Sequence, residues 1–175
     1  MFLFLLVIEK LYAMKVSELQ IKFIEEVKPL LPDWKFIKSQ YHFKKNEGSA
    51  VWYFHIGCIN HSEGFDAVGN VAIEFKVGKD SLCIIGAELG NIDGIGQNRF
   101  PVPNCAEVKS SARGLHKYFE EHGLSFLRKY SNPREVVTTL KQGGKEAMLI
   151  SPFLDNHQNQ IDLLSLHYGM RVLPE

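Results

Sequence analysis

Hydrophobic and polar residues alternate in four runs between Trp34 and Leu89, and a period of two is typical of β-strands. The runs cover residues 37–44, 50–59, 71–77 and 82–85. The second run is apolar on both of its faces, which predicts an inner strand that is covered on both sides. In the third run the apolar residues share one face and the charged residues the other, so only one face is predicted to be buried.

Short segments rich in Asn, Gly and Ser separate these runs and indicate turns, because such residues tolerate tight backbone conformations. The turns are predicted at residues 46–49, 61–64 and 78–81. A parallel pair of strands needs a crossover of a dozen residues or more, so short turns favour antiparallel neighbours. The sequence therefore predicts a four-stranded, mainly antiparallel meander sheet in chain order.

Helical patterns precede and follow this sheet. Before it, Ser17 and Gln20 form a capping-box pattern ahead of apolar residues at helical spacing. After it, a second helix is predicted from Asn104 to a C-terminal Gly123, with Glu107 as its capping partner. A third begins at Asn132 and Pro133 and stops at 143–144. A last helix starts near Asp155. The predicted fold class is α+β, with an N-terminal helix and C-terminal helices packed on the sheet.

The length of 175 residues and an apolar content of 45% predict one globular domain. We assign this domain to residues 14–175. Residues 1–13 are either an N-terminal extension or an artefact of an upstream start, with Met14 as the true first residue. The apolar run 1–8 is too short to span a bilayer and lacks the features of a signal peptide. We expect a cytoplasmic protein that does not bind membranes.

Charge and cysteine usage narrow the function classes. Lys+Arg and Asp+Glu both number 20, and this zero balance argues against nucleic acid as a partner. Three cysteines, Cys58, Cys83 and Cys105, lack the paired spacing of a metal site, which indicates small buried side chains in a reducing compartment. The histidines His55 and His61 flank Cys58 at spacings that diverge on a strand. No metal and no cofactor are expected.

Four glycines lie in the loop 86–98, whose role the sequence leaves open. Its Gly94 and Gly96 lack the third glycine of a dinucleotide-binding motif, because position 99 is Arg99, and the chain has no P-loop pattern. The loop is therefore predicted to be a surface segment that contacts a partner.

One enzyme interpretation remains as the alternative. Glu74 and Lys76 form an E-x-K pattern on a predicted strand, and Asp66 lies upstream. Metal-dependent nucleases of the restriction-enzyme type hold Mg²⁺ with two such carboxylates beside a lysine, because Mg²⁺ prefers carboxylate oxygens and phosphate needs a positive neighbour. The opposing interpretation is that Glu74 and Lys76 are ordinary solvent-facing residues of an alternating strand.

Two stretches carry a family resemblance: the first-strand segment 34–45 and the segment 117–130, which contains a Gly-Leu-Ser-Phe-Leu phrase. Over residues 15–141 the chain resembles a family of small, uncharacterised bacterial α+β domains. Similar small domains often act as immunity proteins, which bind and neutralise a cognate bacterial toxin. The resemblance implies a non-enzymatic protein-binding domain whose partner is a protein toxin.

Contact residues for such a partner are expected near the glycine loop and on the outer sheet face. Aromatic and Arg side chains carry most interface energy, so Arg99 and Phe100 rank first. The remaining candidates are acidic or imidazole side chains in the same region: Glu88, Asp93, Asp66 and His61.

Overall fold

A six-stranded antiparallel sheet and a layer of helices make up the protein, whose computed structural model describes residues 14–79 and 82–170. The predicted α+β class and the antiparallel sheet are confirmed, while the predicted number of four strands is wrong. The strands are β1 (Lys35–Ile37), β2 (His42–Glu47), β3 (Ala50–Asn60), β4 (Phe65–Lys76), β5 (Leu82–Glu88) and β6 (Phe100–Val102). The alternatives for residues 1–13, and part of the predicted turn at 78–81, lie outside the described residues.

One extra strand arises because the first predicted run is broken. A 3₁₀ turn at Lys38–Gln40 separates β1 from β2, and Tyr41 adopts a left-handed conformation with φ of 50°. The two pieces fold back on each other, so that Phe36 lies opposite Phe43. The prediction of one continuous alternating strand over residues 37–44 is therefore wrong, because alternation does not continue through a turn.

The other extra strand is β6, which lies where an irregular loop was predicted. The twelve-residue β4 has two partners in succession along the same edge. Its second half, Asn70–Lys76, pairs with β5, and its first three residues pair with β6. The glycine-rich segment between β5 and β6 therefore leaves the edge of β4 and returns to it.

Seven α-helices are described. They are α1 (Val16–Val27), α2 (Leu89–Asp93), α3 (Val108–Tyr118), α4 (Leu124–Tyr130), α5 (Pro133–Gln142), α6 (Gly144–Ile150) and α7 (His157–His167). In the described part of the chain, none of these has the length and apolar character needed to cross a membrane.

The helix boundaries partly follow the prediction. The N-cap of α5 is confirmed, because Asn132 Oδ1 accepts a hydrogen bond from the Arg134 amide at 3.0 Å. By contrast, α1 starts one residue early, with Glu18 bonded back to the Lys15 amide. Gly123 does not end a helix, since a π-helical turn at Phe119–Gly123 joins α3 to α4. The short helices α2, α4 and α6 were not predicted. The predicted loop 86–98 is wrong in its first half, which contains the end of β5 and all of α2.

The helices pack on one face of the sheet through a chain of aromatic rings. Phe119 stacks on Phe54 at 4.2 Å between ring centroids and meets Trp34 edge-on at 5.6 Å. Trp34 lies 6.3 Å from Trp52, whose indole donates a hydrogen bond to the Ser131 hydroxyl. These sheet residues are the even-numbered ones of β3. On the odd-numbered side of β3, His55 is exposed and Tyr53, Gly57 and Ile59 are half-buried, so the predicted burial of both faces is wrong.

Candidate functional site

The face of the sheet opposite the helices is a continuous surface, which we call the open sheet face. Strand alternation and the pairing register place its members side by side across four strands. It comprises His42, Lys44, Val51, Tyr53, His55, Gly57, Ile59, Asp66, Val68, Asn70, Ala72, Glu74 and Ile84. His55 and Ile84 are exposed, Val51 and Val68 are buried, and the others are half-buried.

Tyr53 is the centre of this face. Its hydroxyl donates a hydrogen bond of 3.0 Å to Glu74 Oε2 on the neighbouring strand. The His42 ring meets it edge-on at 4.9 Å, and Lys44 Nζ lies 5.6 Å from its ring centroid, within cation–π range. The phenol ring is thus held from both sides, with its orientation fixed before any partner arrives.

The surroundings of this cluster lower the pKa of both histidines and so favour the neutral form of their imidazoles. Burial is the main cause of a lowered pKa at both His42 and His55, and at His42 the charges of His55 and Lys44 add to it. These two histidines lie directly opposite each other on β2 and β3. Loss of hydration and the hydrogen bond to Glu74 raise the pKa of Tyr53 to about 12. At neutral pH the cluster therefore presents uncharged rings beside Lys44 and Glu74.

A charged cluster occupies one end of the open sheet face. Asp66 Oδ2 lies 3.1 Å from His61 Nε2 in the β3–β4 turn and 3.5 Å from an Arg99 guanidinium nitrogen. Arg99 is brought there because the residue that follows it begins β6, which pairs beside Asp66. Three of the predicted contact residues thus form one group with an exposed cation at its rim.

The other predicted contact residues are distributed differently. Glu88 ends β5, and its carboxylate accepts a hydrogen bond from the Asn98 amide, which ties down the glycine loop. Asp93 faces the helices, where Tyr118 donates to it at 2.9 Å and His122 lies at 3.4 Å.

Phe100 is half-buried, with its ring 5.8 Å from that of Tyr118. The structure therefore brings His61, Asp66 and Arg99 together and places Asp93 and Phe100 on the helical side.

The carboxylates proposed for a nuclease do not meet. Asp66 and Glu74 share the open face of β4 but are eight residues apart, about 26 Å along an extended strand. Glu74 is bonded to Tyr53, and Lys76 is exposed at the end of the strand. In residues 14–79 and 82–170 no group of three His, Cys, Asp or Glu side chains could hold a metal ion. This geometry offers no two-carboxylate site for Mg²⁺ at these residues.

Two of the thiols are inert. Cys83 is buried and Cys58 half-buried, and burial raises the pKa of each to about 11. At neutral pH both therefore stay protonated, and a protonated thiol is a poor nucleophile. Cys105 is exposed and accepts a contact of 3.4 Å from Lys22 Nζ.

Sequence reasoning missed Tyr53, His42 and His55 as a cluster. The alternation did place His42 and Lys44 on one polar face, and the short predicted turn at 46–49 sets β2 against β3. Folding the chain back about that turn pairs His42 with His55 and Lys44 with Tyr53, as the structure does. The register of the hairpin, rather than any sequence motif, could therefore have identified this cluster.

Comparisons of the chain with family models, with curated proteins and with solved structures found no match.

Proposed function

We propose that this protein is a non-enzymatic binding domain that uses the open sheet face to bind a protein partner. One observation carries the proposal: an ordered group of aromatic, imidazole and charged side chains lies on a sheet face whose central residues are exposed or half-buried. Protein interfaces favour such surfaces, because rigid aromatic rings supply contact area at little entropic cost.

Tyr53 and Arg99 are the proposed anchors. Tyr53 is half-buried and already held by Glu74, so little freedom is lost when a partner covers it. Arg99 is exposed at the rim; its Nε donates to Gln97 and its Nη1 lies beside Asp66, which leaves Nη2 for a partner. Both residues belong to types that dominate interface energies.

The partner class that we propose is a cognate bacterial toxin, with this chain as its immunity protein. The support is the resemblance of residues 15–141 to small bacterial α+β domains, together with the lack of paired carboxylates at the predicted nuclease residues. Neutralisation would occur by occlusion, in which the open sheet face covers the toxin's functional surface. A standard interface buries about 800 Å² on each partner.

The test uses one variant of the open sheet face and one matched control. The variant combines Tyr53→Ala with Arg99→Glu, and the control is Lys117→Glu, an exposed charge reversal on α3. Tagged forms of both, and of the wild type, are expressed in the native host and purified with their bound proteins. We expect one partner to remain with the wild type and the control and to be lost with the variant.

The second arm tests the toxin hypothesis itself. Expression of the captured partner alone should arrest growth, and co-expression of the wild type or the control should restore it, whereas the variant should not. A partner that is harmless when expressed alone contradicts the immunity function. A partner retained by the variant contradicts the assignment of the open sheet face.

A further inference from the structure

Strand β5 forms an edge of the sheet, and its outer side is only partly closed. The Ile84 carbonyl accepts a hydrogen bond of 3.1 Å from Gln160 Nε2 on α7, so it points away from β4. In an antiparallel strand, backbone groups two residues apart point to the same side. Gly86 therefore also directs its N–H and C=O outwards, and no other described residue bonds to them.

A groove of about 1260 Å³ runs along this part of the edge. Its opposite wall is α6 with the segment that follows it, and this wall is apolar. The wall residues are Met148, Leu149, Pro152 and Leu154. Met148 is 42% exposed and Leu154 66% exposed, both high values for large apolar side chains. Unpaired backbone groups thus face an exposed apolar wall across a groove.

Residue 86 lines the groove and is a glycine because β5 lies close to β4 here: a Cβ would lie 2.5 Å from the Val71 carbonyl oxygen. Asn70 on β4, Asn91 and Glu88 also line the groove. The bottom of the groove is polar although its wall is apolar.

The two acidic side chains that line the groove differ in how far their charges are already compensated. Glu146 is bound at 2.5 Å by Lys129 and at 2.6 Å by the Tyr130 hydroxyl, so its charge is already compensated. Glu88 uses one carboxylate oxygen for the Asn98 amide. Lys145 also lines the groove and is exposed. The Glu88 carboxylate therefore keeps one oxygen for a ligand, and Glu88 belongs to the edge strand β5.

We propose that this groove binds an extended peptide segment of a partner, which adds to β5 as a further strand beside Gly86. Peptide side chains alternate in direction. Every second one would be apolar and face Met148 and Leu154, and a Lys or Arg on the opposite side would lie beside Glu88.

The groove is a second surface, which adjoins the open sheet face at Asn70. As at known strand-addition sites, backbone hydrogen bonds would supply the affinity for the peptide, and pockets for alternate side chains would supply the specificity. The site ends at Ile84, because the outward-pointing carbonyl of Ile84 already accepts a hydrogen bond from Gln160.

The probe is a blocked, fluorescent heptapeptide of sequence Thr-Leu-Lys-Leu-Thr-Leu-Thr, titrated against the full chain. Two further peptides carry N-methyl groups on either the odd or the even residues, since alternate backbone N–H groups point to opposite edges of a strand. Strand addition predicts that one methylation pattern weakens binding by at least about tenfold and the other leaves it nearly unchanged. The Gly86 amide resonance should move on binding in ¹⁵N spectra.

Two variants test the wall and the charge. Leu154→Arg should abolish binding, while Ile21→Arg, an equally drastic change at an exposed apolar residue of α1, should not affect it. Glu88→Gln keeps an acceptor for the Asn98 amide but removes the charge. It should weaken the lysine peptide about threefold, as expected for a partly exposed ion pair, and leave a peptide with Gln in place of Lys unchanged.

Three results would overturn the proposal. One is absence of binding at millimolar peptide. Another is equal sensitivity to both methylation patterns, which indicates nonspecific apolar contact. The third is self-association of the chain that Leu154→Arg disrupts, since this would assign the groove to a second copy. None of these results depends on the open sheet face.

Discussion

At the scale of single residues, Tyr53 links three strands. Its ring contacts His42 on β2, and its hydroxyl bonds Glu74 on β4. Aromatic cross-strand pairs and side-chain hydrogen bonds are the units that stabilise a sheet beyond its backbone ladder. The sequence placed Tyr53 on an inner strand, but its partners depend on register and could not be identified from residue types alone.

Tyr53→Phe should lower the free energy of unfolding by about 1 kcal/mol, because it removes the hydrogen bond and leaves the Glu74 carboxylate without its donor. Chemical denaturation followed by circular dichroism measures the change. Tyr41→Phe is the control, since no hydroxyl hydrogen bond of Tyr41 is described. An equal loss in both variants would show that the bond to Glu74 contributes nothing.

At the scale of elements, the departures from the sequence prediction have local causes. β6 has three residues, one of them Pro101, and its pairing to β4 is a long-range contact that no local pattern encodes. α6 begins at the second of two glycines with positive φ, which were interpreted as a simple helix stop. The run at 71–77 was predictable because one buried face imposes a period of two.

Gly64→Ala should destabilise the fold by about 1–3 kcal/mol, because its Cβ would lie 2.3 Å from the Val102 carbonyl oxygen and push β6 away from β4. Gly57→Ala is the matched control in the same hairpin. Its Cβ would meet only ordinary contacts of 3.8 Å and more, so stability should stay within about 0.5 kcal/mol or rise. Thermal unfolding of both variants makes the comparison, and a stable Gly64→Ala would contradict it.

Asn132→Ala should cost about 1 kcal/mol through loss of the side-chain cap on α5. Asn156 occupies the same position before α7 but makes no capping hydrogen bond. Asn156→Ala should therefore leave the free energy of unfolding nearly unchanged. Urea titrations of the two variants distinguish them, and equal losses would refute the assigned role of the Asn132 side chain.

At the scale of the whole molecule, the helices pack through aromatic rings on one side of the sheet, and the open sheet face is the other side. The candidate site was predictable only in part. The charged group of His61, Asp66 and Arg99 came from residues already singled out in the sequence, whereas its assembly depends on β6, which was not predicted. The group around Tyr53 could be identified only from the register of the hairpin formed by β2 and β3. The groove beside β5 could not be predicted, because α6, which forms its wall, was not predicted.

Stability should fall as the pH drops below about 6.5. His42 and His55 have lowered pKa values in the folded protein, so the unfolded chain takes up protons first and is favoured. The double variant His42→Gln with His55→Gln should show a flatter dependence between about pH 5 and pH 7. Denaturation midpoints across that range provide the measurement. An unchanged slope would mean that these two imidazoles do not contribute to acid sensitivity.

Both tryptophans of the chain lie at the boundary between the helices and the sheet, 6.3 Å apart. Intrinsic fluorescence therefore reports specifically on the separation of the two layers. A spectral shift that precedes the loss of β signal would reveal an intermediate in which the helices have detached while the strands remain paired. Partner binding on the far side of the sheet would leave the emission unaltered, so one optical probe can distinguish docking from unfolding.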